Sequence, residues 1–389
     1  MSAAPMLPGT AVSLPRRTPE RVLAATGCPV PVVPEQGDLI EHWHERELLS
    51  DQPNRTSLPT HESDQVSQVT EQNQHESAPA LHALSLGAGV QSTTLLLLSA
   101  EGRIPKYDVA IFADTGWEPR SVYEHLDRID KEVAQPAGIP IVRVRAVGGS
   151  GKRSTGDLRA DSLRPDSWMR MPVFVADRDD KSAAMVRRQC TDEYKLVPYK
   201  QEVRRRLGYV HPRPVPRGMY ALSSIGISRD EFQRAKDAQV QYLKNEFPLL
   251  YLAGAADGRE GWTRNDCIRY LNAAGWGETP KSACIGCPFH GNRAWRDLRD
   301  NHPDEWQDAV DFDRQMRETP HRGIKKAPFL HRSLLPLADA PIDKVTRGEW
   351  RDRQVDLFDA VADEEAEQLV EEGEYGSCSP WSCRSDTAP

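Results

Sequence analysis

The sequence predicts an α/β protein, in which a parallel sheet carries helices on both faces in a Rossmann-like arrangement. Short apolar runs alternate with longer segments of helical type between residues 80 and about 255, and this alternation is typical of parallel sheets. The first run, Leu81 to Leu86, suits a buried strand and leads through the turn Gly87 to Gly89 into an apolar helix around Leu95 to Leu98. The second run, Tyr107 to Ala113, ends in a polar cluster, and the carboxyl ends of neighbouring parallel strands are where open sheets hold ligands.

The remaining elements continue the alternation and then give way to a helical C-terminal part. They are a helix over Val122 to Val133, strands over Ile139 to Val144 and Met219 to Ile227, a basic helix around Arg204 to Arg206, and helices that begin at Thr263 and near Asn292. The polar stretch from Gly148 to about Met185 predicts a long irregular loop, which is either a lid or binding loop or a tolerated surface insertion.

Composition divides the chain into four parts. Residues 1–79 are predicted to be a poorly ordered leader, because the segment from Ser50 to Pro79 has almost no large apolar residue to offset the entropy of ordering. Residues 80–255 form the predicted α/β domain, and residues 256–340 form a helical part with a Cys-x-x-Cys loop. Residues 341–389 are predicted to be an acidic, partly disordered tail.

Charge and cysteine content narrow the function classes. The 389 residues carry a formal net charge of −8, which argues against sequence-independent DNA binding as the main role. No apolar run approaches the length of a membrane span and the first residues lack signal-peptide features, so we expect a cytoplasmic protein with no membrane association. Seven cysteines are an odd number, which favours metal or thiol chemistry over a disulfide framework.

The stretch from Ser85 to Thr93 has the composition of an anion-binding turn. Gly87, Ala88 and Gly89 let the backbone approach a ligand, the first amides of the following helix lack intrahelical acceptors, and Ser92 and Thr93 add hydroxyl groups. The stretch is neither a Walker A loop nor a complete Gly-x-Gly-x-x-Gly motif. A plain strand-to-helix turn, with small residues chosen for packing, is the alternative.

Several stretches in the same order resemble the phosphoadenosine phosphosulfate reductase family of the adenine nucleotide α-hydrolase, or PP-loop, superfamily. The resemblance covers about residues 80 to 300. The matching stretches are Gly87-Ala88-Gly89-Val90-Gln91-Ser92-Thr93 for the family's Ser-Gly-Gly-Lys-Asp-Ser-Thr, Asp114-Thr115-Gly116-Trp117-Glu118 for Asp-Thr-Gly-x-Glu, Gly226-Ile227-Ser228-Arg229-Asp230-Glu231 for Gly-Ile-Arg-x-x-Glu, and the elements Pro248-Leu249, Trp262-Thr263 and Asp266.

The resemblance implies a nucleotide site at this edge of the sheet. Its expected binding residues are Ser85, Gly87, Ala88, Gly89, Ser92, Thr93, Asp114, Thr115, Gly116, Glu118, Arg187 and Arg188, with Phe112 to Asp114 beside adenine. Val90 and Gln91 depart from the family's Lys and Asp, so we expect Arg187, Arg188 and Lys195 to supply positive charge. Cys190, Lys195, Arg229 and Glu231 are the expected catalytic residues, with Glu231 orienting Arg229 or a bound metal.

The cysteines resemble those of the family's iron-sulfur adenylylsulfate reductases. Those enzymes carry Cys-Cys-x-x-x-Lys-x-x-Pro upstream of a Cys-x-x-Cys, and Cys190, Lys195 and Pro198 match the first motif while Thr191 replaces its second cysteine. The resemblance therefore implies that Cys190, Cys284 and Cys287 ligate a [4Fe-4S] cluster, in which one iron is not held by a cysteine of the core. His290 follows Cys287 by three residues and is expected to approach that iron. A zinc site and a redox dithiol are the alternatives, whereas Cys267 is expected in the core and Cys378 and Cys383 as tail thiols.

These expectations lead to one function and two alternatives. The first is ATP-dependent adenylation and sulfur transfer to a nucleic acid or small acceptor, with ATP or an adenylylsulfate-type nucleotide, the cluster and Mg²⁺ as cofactors and a sulfur-donor or redox protein as partner. The second is reduction of adenylylsulfate or phosphoadenylylsulfate. The third, suggested by Val90 and Gln91, is a non-catalytic nucleotide-binding regulatory module.

Overall fold

A five-stranded parallel sheet organises the part of the chain that the structure describes. The structure, a computed structural model, describes residues 78–146, 154–176, 182–346 and 349–350. The strands are β1 (Leu81–Leu86), β2 (Val109–Ala113), β3 (Ile141–Val144), β4 (Ser167–Trp168), β5 (Phe174–Ala176), β6 (Ala183–Met185), β7 (Ala221–Ile225), β8 (Leu243–Glu246) and β9 (His321–Arg322). The order in the main sheet is β3-β2-β1-β7-β8, so the direction of winding reverses between β1 and β7.

Helices cover both faces of this sheet. The α-helices are α1 (Val90–Ala100), α2 (Arg120–Ile129), α3 (Leu158–Ser162), α4 (Val197–Arg206), α5 (Arg264–Ala273), α6 (Asn292–Asn301) and α7 (Pro303–Glu318). A π-helix (Asp130–Ala134) and a short α-helix (Gln135–Ala137) prolong α2, and a second π-helix (Thr191–Leu196) leads into α4. Short 3-10 helices lie at Arg229–Arg234, Pro248–Leu250 and Leu337–Asp339.

The period-2 alternation of the strands explains why both faces are apolar. Leu84 of β1 and Phe112 of β2 belong to a core that α1, α2 and α5 cover, whereas Ala83 and Ile111 belong to a core on the other face that α4 covers. The predicted parallel sheet with helices on both faces is therefore confirmed. Thr263 caps α5 as expected, with a capping box in which it and Asp266 bond each other's backbone amides.

A third core joins the C-terminal helices to the loops beyond the sheet. Trp117 and Tyr194 pack in it with Trp295 of α6 and Phe312 of α7. The helix α5, which belongs to the predicted helical part, packs against α1 in the core of the sheet. The loop that carries Cys284 and Cys287 belongs to the third core.

Two further expectations differ from the structure. The edge strand β8 was not expected, because its Lys244, Asn245 and Glu246 give it little apolar character. The stretch predicted as one irregular loop from Gly148 to Met185 contains α3, β4, β5 and β6 among its described residues. Nearly all of the leader and of the acidic tail, with Cys28, Cys378 and Cys383, lies outside the described residues. Among the described helices, none combines the length and the apolar character that crossing a membrane requires.

Candidate functional site

The glycine turn, residues Gly87 to Thr93, lies at the carboxyl end of β1, next to the point where the strand order reverses. Its shape depends on Ser92, whose hydroxyl accepts a hydrogen bond from the Gly87 amide at 3.2 Å and donates to the Gly89 carbonyl at 3.2 Å. Ala88 has a left-handed backbone, with φ of 55°. The first intrahelical bond of α1 runs from the Thr93 amide to the Gly89 carbonyl. The amides before Thr93 therefore point out of the helix end, where an anion is favoured.

Two remote segments close tightly on this turn. A Cβ atom at Gly226, just after β7, would lie 2.9 Å from the Ser92 amide nitrogen, so only glycine fits there. A Cβ atom at Gly89 would lie 3.2 Å from the Cβ of Ser282, which comes from the segment ahead of the cysteines. Ser282 is buried and faces the turn, and sequence reasoning missed it. The feature of the sequence that could have identified Ser282 as a site residue is its position two residues before Cys284.

Gln91 connects the turn to the segment after β7. Its amide nitrogen lies 3.2 Å from a carboxylate oxygen of Glu231, and its oxygen accepts a hydrogen bond from Arg264 at 2.8 Å. Glu231 is buried, and burial raises the pKa of its carboxyl group, although the charge of Arg234 opposes that shift. Gln91, which stands where the family has Asp, is thus part of a buried network beside the turn.

The expected cations of the turn take other positions. Glu231 pairs with Arg234 at 2.5 Å, so its salt bridge is with Arg234 and not with Arg229; that Glu231 orients a bound metal stays a prediction. Arg229 instead pairs with Asp257 and also donates to the Gly261 carbonyl at 3.3 Å. Arg187 is exposed to solvent.

The other expected turn residues are buried. Ser85 lies within β1, and the hydroxyl of Thr93 lies 3.0 Å from Nε2 of His125 in α2. Burial lowers the pKa of His125 to about 4, so its ring is neutral at neutral pH. Thr93 therefore fixes α1 against α2.

The carboxyl end of β2 presents a fully engaged carboxylate. Asp114 accepts hydrogen bonds from the Gly116 amide and the Tyr123 hydroxyl, both at 2.8 Å, and its second oxygen pairs with Arg145 at 2.6 Å. Tyr123 and Arg145 were not among the expected residues. Asp114 consequently fixes the turn after β2, and Arg145, whose side chain is 51% exposed, is the cation that it holds at the surface.

The next residues along this turn reach the cysteines. The Thr115 hydroxyl lies 3.3 Å from the sulfur of Cys284 and donates to Glu118 at 3.0 Å. The Glu118 carboxylate lies 3.5 Å from the same sulfur and 3.8 Å from the ammonium group of Lys195. All four side chains are buried, so a thiol, a hydroxyl, a carboxylate and an ammonium group share one environment of low solvent exposure.

One pocket, called here the cysteine pocket, brings together the three cysteines that sequence reasoning grouped. It is lined by Thr115, Leu158, Met171, Pro172, Arg188, Cys190, Thr191, Lys195, Cys284, Cys287 and Pro288. Cys190 is half-buried where the π-helix Thr191–Leu196 begins, and Cys284 and Cys287 are buried. Arg188 lies 4.5 Å from the ring of Phe289 and contributes a second cation to the wall.

The Cys284 to Cys287 loop is held by packing from several directions. The amide of Ile285 donates to the Trp117 carbonyl at 3.0 Å, and a Cβ atom at Gly286 would lie 2.1 Å from the Trp117 indole. His290 was expected to approach the iron that no core cysteine holds. In the structure its Nε2 lies 3.0 Å from the Cys284 carbonyl oxygen. His290 thus contacts the backbone of this loop.

The donor set of the cysteine pocket consists of three thiols, which are ligands that both iron-sulfur clusters and zinc take. Three thiols are soft ligands, and Lys195 and Arg188 offset the negative charge that a thiolate cluster carries. Among the described residues, no group of three or more His, Cys, Asp or Glu side chains is arranged to hold a metal ion, so the cluster and the zinc site both stay predictions. Cys267 lies apart in the core of the sheet, as expected, and burial raises its pKa.

No family model and no curated protein matches the sequence of this chain.

Proposed function

We propose that this chain is a PP-loop enzyme similar to the phosphoadenosine phosphosulfate reductase family. In this proposal it binds ATP or an adenylylsulfate-type nucleotide at the glycine turn and performs sulfur chemistry at the cysteine pocket. The preferred reaction is ATP-dependent adenylation of an acceptor, followed by sulfur transfer.

The observation that carries the proposal is that the short segment from Ser282 to Cys287 contacts both the glycine turn and the end of β2. Ser282 lies against Gly87 and Gly89 of the glycine turn, and two residues later Cys284 contacts Thr115 at the end of β2. The glycine turn at the strand reversal and the three thiols of the cysteine pocket are therefore neighbours at one sheet edge. Nucleotide activation and sulfur delivery need this proximity, because an activated intermediate must meet the sulfur before water does.

The residues of the chain have separable roles in this reaction. The amides at the start of α1 bind phosphate oxygens, and the Ser282 hydroxyl closes over them. An acceptor oxygen attacks the α-phosphorus of ATP, pyrophosphate leaves, and the acceptor becomes an adenylate. A sulfide-level sulfur from the donor then attacks the activated atom of the acceptor, and AMP leaves with the acceptor oxygen, so no oxidant or reductant is consumed. Arg188 and Lys195 attract the anionic intermediate to the pocket wall, and Glu118 holds Lys195 in place.

The cysteines fit a bound cluster. Cys190, Cys284 and Cys287 would hold a [4Fe-4S] group, whose chemistry when present is to bind sulfur at an iron that no cysteine occupies. Thr115 and Lys195 line the same wall and can donate hydrogen bonds to sulfur, which tunes such a group.

Iron and sulfide analysis tests the pocket. Protein purified without oxygen is expected to be brown and to contain iron and acid-labile sulfide, and Cys284→Ala should remove both. Cys267→Ala is the matched control, because it removes a buried thiol from the other core. A colourless protein with one tightly bound zinc ion would contradict the cluster.

Pyrophosphate release tests the reaction. With ATP and an acceptor present, we expect release of pyrophosphate that Arg188→Ala lowers. Release of sulfite from adenylylsulfate with a thiol reductant would instead support the reductase alternative. Nucleotide binding with neither product would support the regulatory module.

A further inference from the structure

A basic strip lies next to the cysteine pocket in a chain whose net charge is −8. Residues 319–338 contain four Lys or Arg residues and no Asp or Glu. The strip is formed by Arg322, Lys325, Lys326 and Arg332, of which Lys326 is half-buried and the others are exposed. Within the described part of the chain, no carboxylate forms an ion pair with Arg322, Lys325 or Arg332. Their charge is therefore available to an outside anion.

An aromatic ring stands at one end of this strip. Trp168 of β4 pairs with Arg322 of β9, and its side chain is 52% exposed. A Cβ atom at Gly323 would lie 2.6 Å from the Trp168 ring, so the indole rests directly on the backbone of that glycine. One side of the ring is thus supported and the remainder faces solvent, as in a platform for stacking a base.

The platform is close to the cysteine pocket. Met171, which lines the pocket, follows Trp168 by three residues, and three residues span at most about 10 Å. The Gln189 amide also donates to the Arg170 carbonyl at 3.2 Å, which joins the segment before Cys190 to the segment after Trp168. A nucleic-acid strand with one base stacked on Trp168 can therefore reach the cysteine pocket within a few nucleotides, at about 3.4 Å each.

We propose that the basic strip and Trp168 bind single-stranded nucleic acid, with a base stacked on the indole and phosphates on Arg322 and Lys325. Stacking requires an unpaired base, and unpaired cations beside an aromatic ring are what such strands bind. Asp166 is the sole carboxylate in the sequence 163–172 and 319–338, so the surface suits a polyanion. That this strand is the acceptor rests on the proposed function, whereas its binding does not.

Fluorescence anisotropy with short labelled DNA and RNA oligonucleotides tests the binding on nucleotide-free protein. The double variant Arg322→Glu/Lys325→Glu should weaken single-strand binding about ten-fold or more and lower the salt slope by about two. The control Lys106→Glu/Arg217→Glu changes the net charge equally at exposed positions ahead of β2 and β7, at the opposite edge of the sheet, and should bind like the parent. If both double variants weaken single-strand binding equally, binding at the basic strip is contradicted.

Two single variants test the platform. Trp168→Ala should weaken binding about 5- to 100-fold, and Trp168→Phe should recover most of that loss, because any aromatic face can stack. Asp166→Asn should tighten binding, since it removes the nearby negative charge; asparagine tolerates the left-handed backbone of this residue. Unchanged affinity of Trp168→Ala, or duplex binding as tight as single-strand binding, would contradict a stacking platform.

The outcome separates this inference from the proposed function. Oligonucleotide binding as described, without pyrophosphate release, would support the strip and contradict the reaction. Pyrophosphate release without oligonucleotide binding would contradict nucleic-acid binding at the basic strip, and it would support a small molecule as the acceptor.

Discussion

The glycine turn and the cysteine pocket lie at the same edge of the sheet, but they are built in different ways. The turn uses backbone amides of one continuous stretch, shaped by the Ser92 hydroxyl. The pocket uses side chains from separate segments, with Cys190 and Cys284 far apart in sequence. A backbone site tolerates side-chain changes such as Val90 and Gln91, whereas a side-chain site depends on the packing of every segment that contributes to it. Breaking each region should therefore require a different kind of substitution.

The largest effect should come from filling the contact that supports the pocket. Gly286→Ala would place a methyl group against the buried indole of Trp117, which has no room to move. We expect a loss of about 3 kcal/mol or more in the free energy of unfolding, measured with urea, together with loss of iron. Gly291→Ala is the control, because nothing lies within 4 Å of its added Cβ and its φ is −73°. Equal stability of the two variants would show that Trp117 does not support this loop.

Low pH should destabilise the folded protein through His125, which contacts Thr93 of the glycine turn. Its folded-state pKa of about 4 lies below the usual value of 6.5, so folding opposes protonation and stability is lost as pH falls from about 6.5 toward 4. Between pH 7.5 and pH 5 the expected loss is about 2 kcal/mol. His125→Gln should remove this part of the pH dependence in urea unfolding curves. An identical pH profile for both proteins would contradict a buried neutral imidazole.

The difference between the two regions also explains what the sequence could predict. The alternation of Leu84 and Ala83, and the cap at Thr263, are local patterns with a fixed period or spacing, and the structure contains both. The strand β8 lacked such a pattern, because an edge strand can carry polar residues. Sequence therefore predicted most of the sheet.

The site was predictable only where its residues are contiguous. That Ser282 covers Gly89 and that Trp117 packs on Gly286 are contacts between segments more than a hundred residues apart, which no local period encodes. The sequence showed Gln91 in place of an acidic residue, but its links to Glu231 and Arg264 follow from the sheet order alone. The grouping of the cysteines came from the resemblance.

A smaller effect should come from the hydroxyl that shapes the turn. Ser92→Ala removes both contacts that hold the turn, and we expect ATP binding, measured by calorimetry, to weaken by about 1.5 kcal/mol. Ser99→Ala is a matched control, because Ser99 near the end of α1 also bridges a carbonyl and an amide, those of Pro105 and Tyr107. It should cost similar stability and leave ATP affinity unchanged. Equal loss of affinity in both variants would assign the effect to α1 as a whole.

The smallest expected effect tests whether a side chain also serves the turn. Arg229 is bound to Asp257, and the hydrogen bond from Arg229 lowers the pKa of that carboxyl group, so the pair is ionised at neutral pH. A phosphate must compete with Asp257 for the same guanidinium. Asp257→Asn weakens the competitor and keeps its shape, so ATP affinity should rise by less than about 1 kcal/mol, the usual scale for a partly exposed pair. Arg229→Ala should lower the affinity and abolish the gain in the double variant. If Asp257→Asn and Arg229→Ala leave the affinity unchanged, Arg229 only fixes the loop around Gly261, and the anion site of the turn is made by backbone alone.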